Sequence, residues 1–204
     1  MKYSTQIVDN FYEDADRVRK YALEQNFYKR IGNYPGIRTD RLSDLNKQFF
    51  EFFVNKLASL YFDMNTIKLE YDVITNFQII DGKYNMGWIH QDDIGYFDVA
   101  GVIYLTPNAP LNTGTSIYRP IVDIIKQSKL SHDPYSTENL NISEYEKEQK
   151  IYNSQFEKTI DVGNVYNRLA VYPVKAWHTQ SGFFGTTKEN SRLTQVFFAK
   201  FTPC

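Results

Sequence analysis

LEYDVITNFQI, residues 69 to 79, alternates between two kinds of side chain. The side chains at every second position are apolar or β-branched, and most of those between them are polar. The first set is Leu69, Tyr71, Val73, Thr75, Phe77 and Ile79, and the polar neighbours are Glu70, Asp72, Asn76 and Gln78. Because successive side chains of a strand point to opposite faces, this period of two predicts a long β-strand.

Further strands are predicted after this one, and two helices before it. The strands are residues 97–106, 116–118, 168–174 and 192–201. The first helix runs from about residue 8 to 27 with Asp9 or Asp14 as its cap, and the second follows Ser43 as its N-cap and extends to about Leu60. Two helices followed by many strands predict a mainly β fold with helices packed on one side of a sheet.

The segment from about Ile121 to Lys158 interrupts this pattern. It is rich in Lys, Glu, Gln, Ser and Asn, with helix-like stretches at 121–129 and 142–156. It is either a solvated surface insertion or a lid over the opening of a site, because long insertions often carry function. His132 lies inside this segment and is expected to be solvated.

Length and composition describe one globular domain, residues 1–204. The formal net charge of −1 argues against a chain that holds nucleic acid or an anionic membrane through bulk charge. The single cysteine, Cys204, allows no internal disulfide. No apolar run approaches the roughly 20 residues that cross a bilayer, and the first residues lack the apolar stretch of a signal peptide. We therefore expect a cytoplasmic protein and leave its oligomeric state open.

The sequence Gly87-Trp88-Ile89-His90-Gln91-Asp92-Asp93 places a histidine and an aspartate two residues apart. In an extended segment, residues i and i+2 point to the same face, so His90 and Asp92 are expected to face one point and Asp93 to point away. A second histidine, His178, stands at the end of a strand-like run. Two histidines and one carboxylate leave about three octahedral positions open, which is typical of non-haem Fe(II) oxygenases.

A third feature is Arg192-Leu193-Thr194, at the start of the last predicted strand. Arg192 and Thr194 share a face, and a guanidinium binds a carboxylate through two hydrogen bonds. Since a buried arginine without a partner is costly, that carboxylate would come from a ligand. The alternative is a structural ion pair of Arg192 with Asp161 or Glu189. A further arginine, Arg38, either reaches the opening of the site or is simply exposed.

Together, these motifs resemble the 2-oxoglutarate/Fe(II)-dependent oxygenase superfamily, nearest to its prolyl-4-hydroxylase-like branch, over about residues 71–201. The resemblance implies a double-stranded β-helix, a jelly-roll or cupin-like core, at residues 67–204, packed against helical support from residues 1–66. The family's iron ligands fall on His90, Asp92 and His178.

The same resemblance implies a set of residues for the co-substrate. Arg192 and Thr194 match the Arg-x-Ser/Thr element that binds the distal carboxylate of 2-oxoglutarate. Tyr104 matches a tyrosine that also contacts this carboxylate, and Gln78 stands where these enzymes often have a Tyr or Asn. The sequence departs from the family in its long separation of His178 and Arg192, and the residues Ser181-Gly182-Phe183-Phe184-Gly185 are expected to loop out.

The activity implied is that of an Fe(II)- and 2-oxoglutarate-dependent dioxygenase that consumes O₂ and releases succinate and CO₂. Its substrate would be a peptide side chain, such as that of proline, or a small molecule. A methylated nucleobase is a weaker candidate, because no strongly basic face is visible. Two other classes stay open. One is a cupin-like module that binds metal or ligand without catalysis, against which the Arg-x-Thr element argues. The other is a zinc hydrolase with the same ligands, although zinc usually prefers a tetrahedral site.

Overall fold

The computed structural model describes residues 3–29, 34–83, 86–92, 95–128, 130 and 142–204. Asp93, His132 and the middle of the expected insertion lie outside them. In chain order the elements are β1 (Gln6–Val8), α1 (Ala15–Leu23), β2 (Ile37–Arg38), α2 (Leu42–Leu45), α3 (Lys47–Ala58), β3 (Leu69–Ile80), β4 (Val99–Tyr104), a 3₁₀ turn (Leu111–Thr113), β5 (Thr115–Pro120), α4 (Ile142–Asn153), β6 (Phe156–Val162), β7 (Leu169–Pro173), β8 (Trp177–Gln180) and β9 (Arg192–Pro203).

Two antiparallel sheets face each other. The larger has the order β1-β7-β4-β9-β3-β2, and the smaller has the order β6-β5-β8. The alternating stretch becomes β3, which pairs with β9 from Leu69 opposite Pro203 to Ile80 opposite Arg192. An isolated bridge between His90 and His178 adds the segment around His90 to the free edge of β8. This architecture is the mainly β, double-stranded β-helix fold that the resemblance implied, so that prediction is confirmed.

The helices cover the outer face of the larger sheet, as predicted. The rings of Phe53 in α3 and Phe197 in β9 lie 5.3 Å apart, and Phe77, Leu193 and Leu57 belong to the same buried cluster. Burying such side chains contributes roughly 1.5–3 kcal/mol each. The core of the molecule therefore lies between the helices and the sheet, and the opposite face of the sheet is left for the site.

Strand pairing places four side chains in one row on the inner face of the larger sheet. Arg38 lies opposite Gln78, Gln78 opposite Thr194, and Thr194 opposite Tyr104. Directly opposed residues of antiparallel strands share a face. Tyr104 of this row donates a hydrogen bond to Thr115 of β5, 2.9 Å away, which fixes the direction of the row toward the smaller sheet.

The first predicted helix is wrong at both ends. Residues Gln6–Val8 form β1, which pairs with β7, and the helix covers only Ala15–Leu23. Asp14 is its N-cap, since its side chain accepts a hydrogen bond from the backbone of Arg17. The long-range pairing of β1 with β7 overrides the local helical spacing, and β1 and β2 show that residues 1–66 supply edge strands as well as helical support.

Ser43 does not begin the second helix. It lies inside the short helix α2, and Asn46 caps α3 by accepting a hydrogen bond of 2.9 Å from the backbone of Phe49. Asn46 is extended, with φ of −159°, and this breaks the helical path between α2 and α3. Asparagine and serine are equally good caps, so the sequence alone gives little reason to prefer one of them.

The end of the expected insertion is also different from the prediction. The helix-like stretch at 142–156 ends at Asn153, and Phe156–Val162 is strand β6 of the smaller sheet. Five successive residues of β6, 157 to 161, are exposed, so this strand lacks the alternation that would have revealed it. The described part of the other stretch, residues 121–128, contains no helix. None of the described helices is long and apolar enough to cross a bilayer.

Candidate metal and co-substrate site

His90, Asp92 and His178 converge on one point. Their ligating atoms all lie within 4.8 Å of one another. Nε2 of His178 is 3.3 Å from one carboxylate oxygen of Asp92, and Nε2 of His90 is 3.6 Å from the other. Atoms at such spacing fit around a single metal ion, since metal–nitrogen and metal–oxygen bonds are roughly 2 Å long.

Backbone pairing brings the two histidines together. The amide of His90 donates to the carbonyl of His178 at 3.0 Å, and the amide of His178 donates back at 2.9 Å. This reciprocal pair places the two imidazole rings side by side, with centroids 4.5 Å apart. The backbone of Asp92 is held by a hydrogen bond of 3.2 Å to the carbonyl of Val174.

Each histidine is held in the tautomer that a metal requires. Nδ1 of His90 lies 2.8 Å from the carbonyl of Trp88, and Nδ1 of His178 lies 2.9 Å from the carbonyl of Ala176. A carbonyl only accepts hydrogen bonds, so both Nδ1 atoms carry a proton, and in the neutral form of each ring Nε2 presents a lone pair. Such a hydrogen bond on the far side of the ring is the usual support of a metal-binding histidine.

The protonation states of His178 and Asp92 also suit a metal. Burial lowers the pKa of His178 to about 4, so this imidazole is neutral at neutral pH. Burial alone would raise the pKa of Asp92, but His178, His90 and Arg38 outweigh it and hold the pKa below its usual value. A neutral imidazole and an ionised carboxylate are the forms that bind metal ions.

Helix α4 holds the segment that carries His90. Asn153 accepts a hydrogen bond of 3.1 Å from the backbone of Ile89 and donates one of 3.3 Å to the carbonyl of Gly87. The indole of Trp88 donates to the hydroxyl of Tyr145, 2.8 Å away, and Tyr145 is only 7% exposed. The interpretation of the insertion as a solvated surface segment is therefore wrong for α4, which is packed against the candidate metal site.

The three candidate ligands line a cavity of about 920 Å³ between the sheets. This volume is at the upper end of the usual range for small-molecule sites. Gln78, one of the residues expected to contact the co-substrate, also lines it, and its amide is fixed by a hydrogen bond of 2.7 Å to the carbonyl of Pro35.

Arg192 is buried, and none of the described acidic side chains pairs with it. It is 1% exposed, and its guanidinium donates to the carbonyls of Thr113 and Gly114 at 2.9 and 3.2 Å. Within the described residues, no carboxylate lies at ion-pairing distance from it, and Asp161 instead accepts hydrogen bonds from Ser116 and Lys158. The alternative of a structural ion pair with Asp161 or Glu189 is therefore wrong.

Thr194 and Tyr104 lie beside Arg192. The hydroxyl of Thr194 is buried and has no hydrogen-bond partner in the described part of the chain. The guanidinium carbon of Arg192 lies 5.5 Å from the centre of the Tyr104 ring. None of the three side chains lines the cavity itself. Val102 and Val196 do line it, and Tyr104 and Thr194 occupy the next inward-facing row of the sheet.

Comparison with known proteins places the chain in a family. Residues 2–198 match a protein family described as a family of unknown function (DUF6445). The chain belongs to this family. None of the curated proteins matches the sequence.

Solved structures share the fold of this DUF6445 protein. HygX from Streptomyces hygroscopicus, solved with nickel and 2-oxoglutarate bound, has a TM-score of 0.55 at 10% identity, over 97% of this chain and 83% of HygX. A prolyl-4-hydroxylase from Pseudomonas putida has a TM-score of 0.52 at 12% identity, over 97% and 92%. SnoN, a non-haem α-ketoglutarate-dependent epimerase from nogalamycin biosynthesis, has a TM-score of 0.55 at 9% identity, over 97% and 78%. At the level of the fold, the resemblance to 2-oxoglutarate/Fe(II) oxygenases is confirmed.

The long separation of His178 and Arg192 in the DUF6445 protein is taken up by a loop. Residues 181–191 connect β8 to β9, and Gly185 in this loop has a φ of +84°. The backbone of Gly82 donates to the carbonyl of Gly185 at 2.9 Å, which ties the loop to the end of β3. The departure from the family pattern thus leaves both residues on the inner face.

Gln180 is a candidate site residue that was not predicted from the sequence. It lies two residues after His178 on the same strand, lines the cavity, and has a buried amide oxygen without a hydrogen-bond partner. The same i, i+2 rule that joined His90 to Asp92 would have found it, had the position of His178 within a strand been recognised.

Proposed function

We propose that this protein is an Fe(II)- and 2-oxoglutarate-dependent oxygenase in which His90, Asp92 and His178 hold the iron. The observation that carries the proposal is the convergence of two imidazole nitrogens, each with its lone pair free, on one carboxylate inside a cavity. Three ligands of this kind leave coordination positions for a chelating co-substrate and for O₂. The fold shared with known oxygenases agrees with this assignment.

The residues next to the cavity fit 2-oxoglutarate. Arg192 is a buried cation without an acidic partner among the described residues, and Thr194 has an unpaired buried hydroxyl. A buried unpaired charge is unfavourable by several kcal/mol, and a carboxylate would compensate it. We assign the distal carboxylate of 2-oxoglutarate to Arg192 and Thr194, with Tyr104 and Gln78 as further contacts. Because Val102 and Val196 line the cavity and Arg192, Thr194 and Tyr104 do not, this assignment requires the two valine side chains to shift when 2-oxoglutarate binds.

Bound Fe(II) would supply the chemistry that couples oxidation of 2-oxoglutarate to succinate and CO₂ with hydroxylation of the substrate by O₂. The chain itself positions the reactants and excludes water. Part of the cavity wall is apolar and aromatic, and it consists of Trp88, Ile89, Tyr172 and Phe198. These side chains shield the reacting atoms from water and side reactions. The substrate is a peptide side chain, as for prolyl hydroxylases, or a small molecule.

The proposal is tested by replacing Asp92. Asp92→Ala should weaken Fe(II) binding, measured by anaerobic calorimetry. Loss of a residue that only hydrogen-bonds to a metal ligand lowers metal affinity roughly 10- to 100-fold, and loss of a ligand itself should lower it further. Oxygen-dependent formation of succinate from 2-oxoglutarate should disappear with it. Asp123→Ala is the matched control, because Asp123 is exposed and outside the cavity. Iron affinity and succinate formation equal to wild type in Asp92→Ala would show that the metal site is elsewhere.

A further inference from the structure

Arg38 lies in the same cavity as the candidate metal ligands. It belongs to β2, at the edge of the larger sheet, and lies opposite Gln78. Its side chain lines the cavity together with His90 and Asp92. Arg192 is the first residue of β9, two positions before Thr194. The two arginines therefore lie on different strands of the larger sheet, Arg38 on the edge strand β2 and Arg192 at the start of β9.

The guanidinium of Arg38 is held in position before any ligand binds. Its central carbon lies 3.8 Å from the centre of the Tyr34 ring, and such stacking is a specific property of arginine. The turn that carries Tyr34 is fixed by the hydrogen bond from Gln78 to Pro35. Gly36 allows this close approach, because its φ is +74° and a Cβ there would lie 2.1 Å from the carbonyl oxygen of Ile79.

Among the residues that the structure describes, no acidic side chain pairs with this preorganised guanidinium. Nε of Arg38 is buried without a hydrogen-bond partner, and within the described residues no carboxylate lies at ion-pairing distance. Burial lowers the pKa of Arg38 to about 10, although Tyr34 and Asp92 raise it, so the group is still charged at neutral pH. Asp92 is the carboxylate that interacts electrostatically with Arg38, but the proposed function assigns Asp92 to the metal.

The charge balance of the cavity also favours an anionic ligand beside Arg38. Apart from the two histidines, the charged groups among its described lining residues are Asp92, Arg38 and Lys175. Under the proposed function, the formal charges of Fe(II), Asp92, 2-oxoglutarate and Arg192 sum to zero. The positive charges of Arg38 and Lys175 then remain, and a cavity with such an excess favours an anionic substrate.

We infer that Arg38 binds a carboxylate of the primary substrate, stacked in place by Tyr34, and that Lys175 adds to the attraction at the opening. The inference rests on the proposed function, and it narrows the substrate to a compound that carries a carboxylate. The source is either a free carboxylic acid, such as an amino acid, or an acidic side chain of a peptide. A planar guanidinium suits either, because it donates two parallel hydrogen bonds to the two oxygens of one carboxylate.

The test measures whether a carboxylate binds close to the metal when the co-substrate position is filled. Protein is loaded with Mn(II) and with N-oxalylglycine, a non-reacting analogue of 2-oxoglutarate, and the relaxation of the methyl protons of acetate or acetamide is measured by NMR. Wild type should relax acetate more strongly than acetamide. Arg38→Gln should reduce the affinity for acetate roughly tenfold, the effect of one charge-assisted hydrogen bond.

Control variants separate binding from folding and from general charge. Arg41→Gln removes an exposed arginine three positions away and should behave like wild type. Arg38→Lys keeps the charge but loses the planar fork, so acetate binding should be intermediate. Unchanged acetate relaxation in Arg38→Gln, or equal relaxation of acetate and acetamide in wild type, would overturn the inference. Failure of wild type to bind Mn(II) or N-oxalylglycine would instead overturn the proposed function.

Competition identifies the source of the carboxylate. A mixture of free amino acids and a set of terminally blocked peptides rich in Asp and Glu are each added to the acetate-bound protein. Displacement of acetate by the amino acids assigns a small-molecule substrate, and displacement by the peptides assigns a protein substrate. If neither displaces acetate, the subsite holds an adventitious anion only, and its assignment to the substrate is wrong.

Discussion

Thr194 illustrates how a single buried atom can indicate a ligand. Its hydroxyl is inaccessible and has no hydrogen-bond partner among the described residues. Such an unsatisfied group costs about 1–3 kcal/mol of stability. A valine at this position would fill the same space and suit the strand equally well. The presence of a threonine beside buried Arg192 is explained if a ligand carboxylate accepts hydrogen bonds from both side chains.

Thr194→Val separates stability from ligand binding. Without ligand, the variant should be as stable as wild type or more stable by about 1 kcal/mol, because the unsatisfied hydroxyl is removed. Its affinity for 2-oxoglutarate should fall roughly fivefold, the value of one lost hydrogen bond. Thermal denaturation and calorimetric titration measure the two effects. A variant that is about 1 kcal/mol less stable than wild type and binds 2-oxoglutarate with unchanged affinity would show that the hydroxyl has a purely structural role.

Individual site residues differ in how well the sequence reveals them. His90 and Asp92 follow from their i, i+2 spacing, and Arg192 with Thr194 from the same rule, since local spacing fixes which side chains share a face. Asn153 could not be predicted to hold the segment that carries His90, because its contacts with Gly87 and Ile89 exist only after two distant segments pack together.

At the scale of the element, α4 supports the candidate metal segment. The side chain of Asn153 satisfies both an amide and a carbonyl of the extended segment that precedes His90. Without it, these backbone groups lose their partners and the segment is free to shift. Because metal affinity depends on ligands that are held in place, α4 should matter for iron binding although it provides no ligand itself.

Asn153→Ala tests this support. Fe(II) affinity should fall roughly tenfold, the lower end of the effect of losing an outer-shell partner, while the far-ultraviolet circular dichroism stays unchanged. Ser154→Ala is the matched control, since Ser154 directly follows α4 and its hydroxyl donates to the carbonyl of Ile151 in the last turn of that helix. Equal iron affinity in both variants would remove α4 from the account of the site.

Gly114 positions Arg192 through the start of β5. A Cβ at this position would lie 1.8 Å from the carbonyl oxygen of Val162, so only glycine fits there without a shift of the backbone. The carbonyl of Gly114 accepts hydrogen bonds from Arg192 and from the backbone of Ser181. Gly114 therefore marks a close approach of the start of β5 to the end of β6, directly beside Arg192.

Gly114→Ala should lower the free energy of unfolding by about 1–3 kcal/mol, the usual cost of overpacking, and should weaken 2-oxoglutarate binding as Arg192 moves. Urea denaturation gives the first quantity and calorimetry the second. Gly163→Ala provides the comparison, because a Cβ there would meet no atom closer than 3.6 Å. If the two alanine variants are equally stable, the close approach at Gly114 is not a constraint on the fold.

At the scale of the whole molecule, the larger sheet has the core on one face and the cavity on the other. Its outer face packs against the helices, and its inner face carries Arg38, Gln78, Thr194 and Tyr104. This division agrees with the strong apolar alternation of β3, and it explains why five strands were predicted close to their observed bounds. β6 and β8 were not predicted, because β6 is exposed over most of its length and β8 has only four residues.

The central claim is that one cavity holds Fe(II) against His90, Asp92 and His178 and 2-oxoglutarate against Arg192. The most direct test is an anaerobic titration that follows the faint visible absorption expected when 2-oxoglutarate chelates protein-bound Fe(II). Wild type should develop this band with one equivalent of each, Asp92→Ala should not develop it, and Arg192→Lys should need roughly tenfold more 2-oxoglutarate. No band in wild type, or the same titration curve in all three proteins, would contradict the claim.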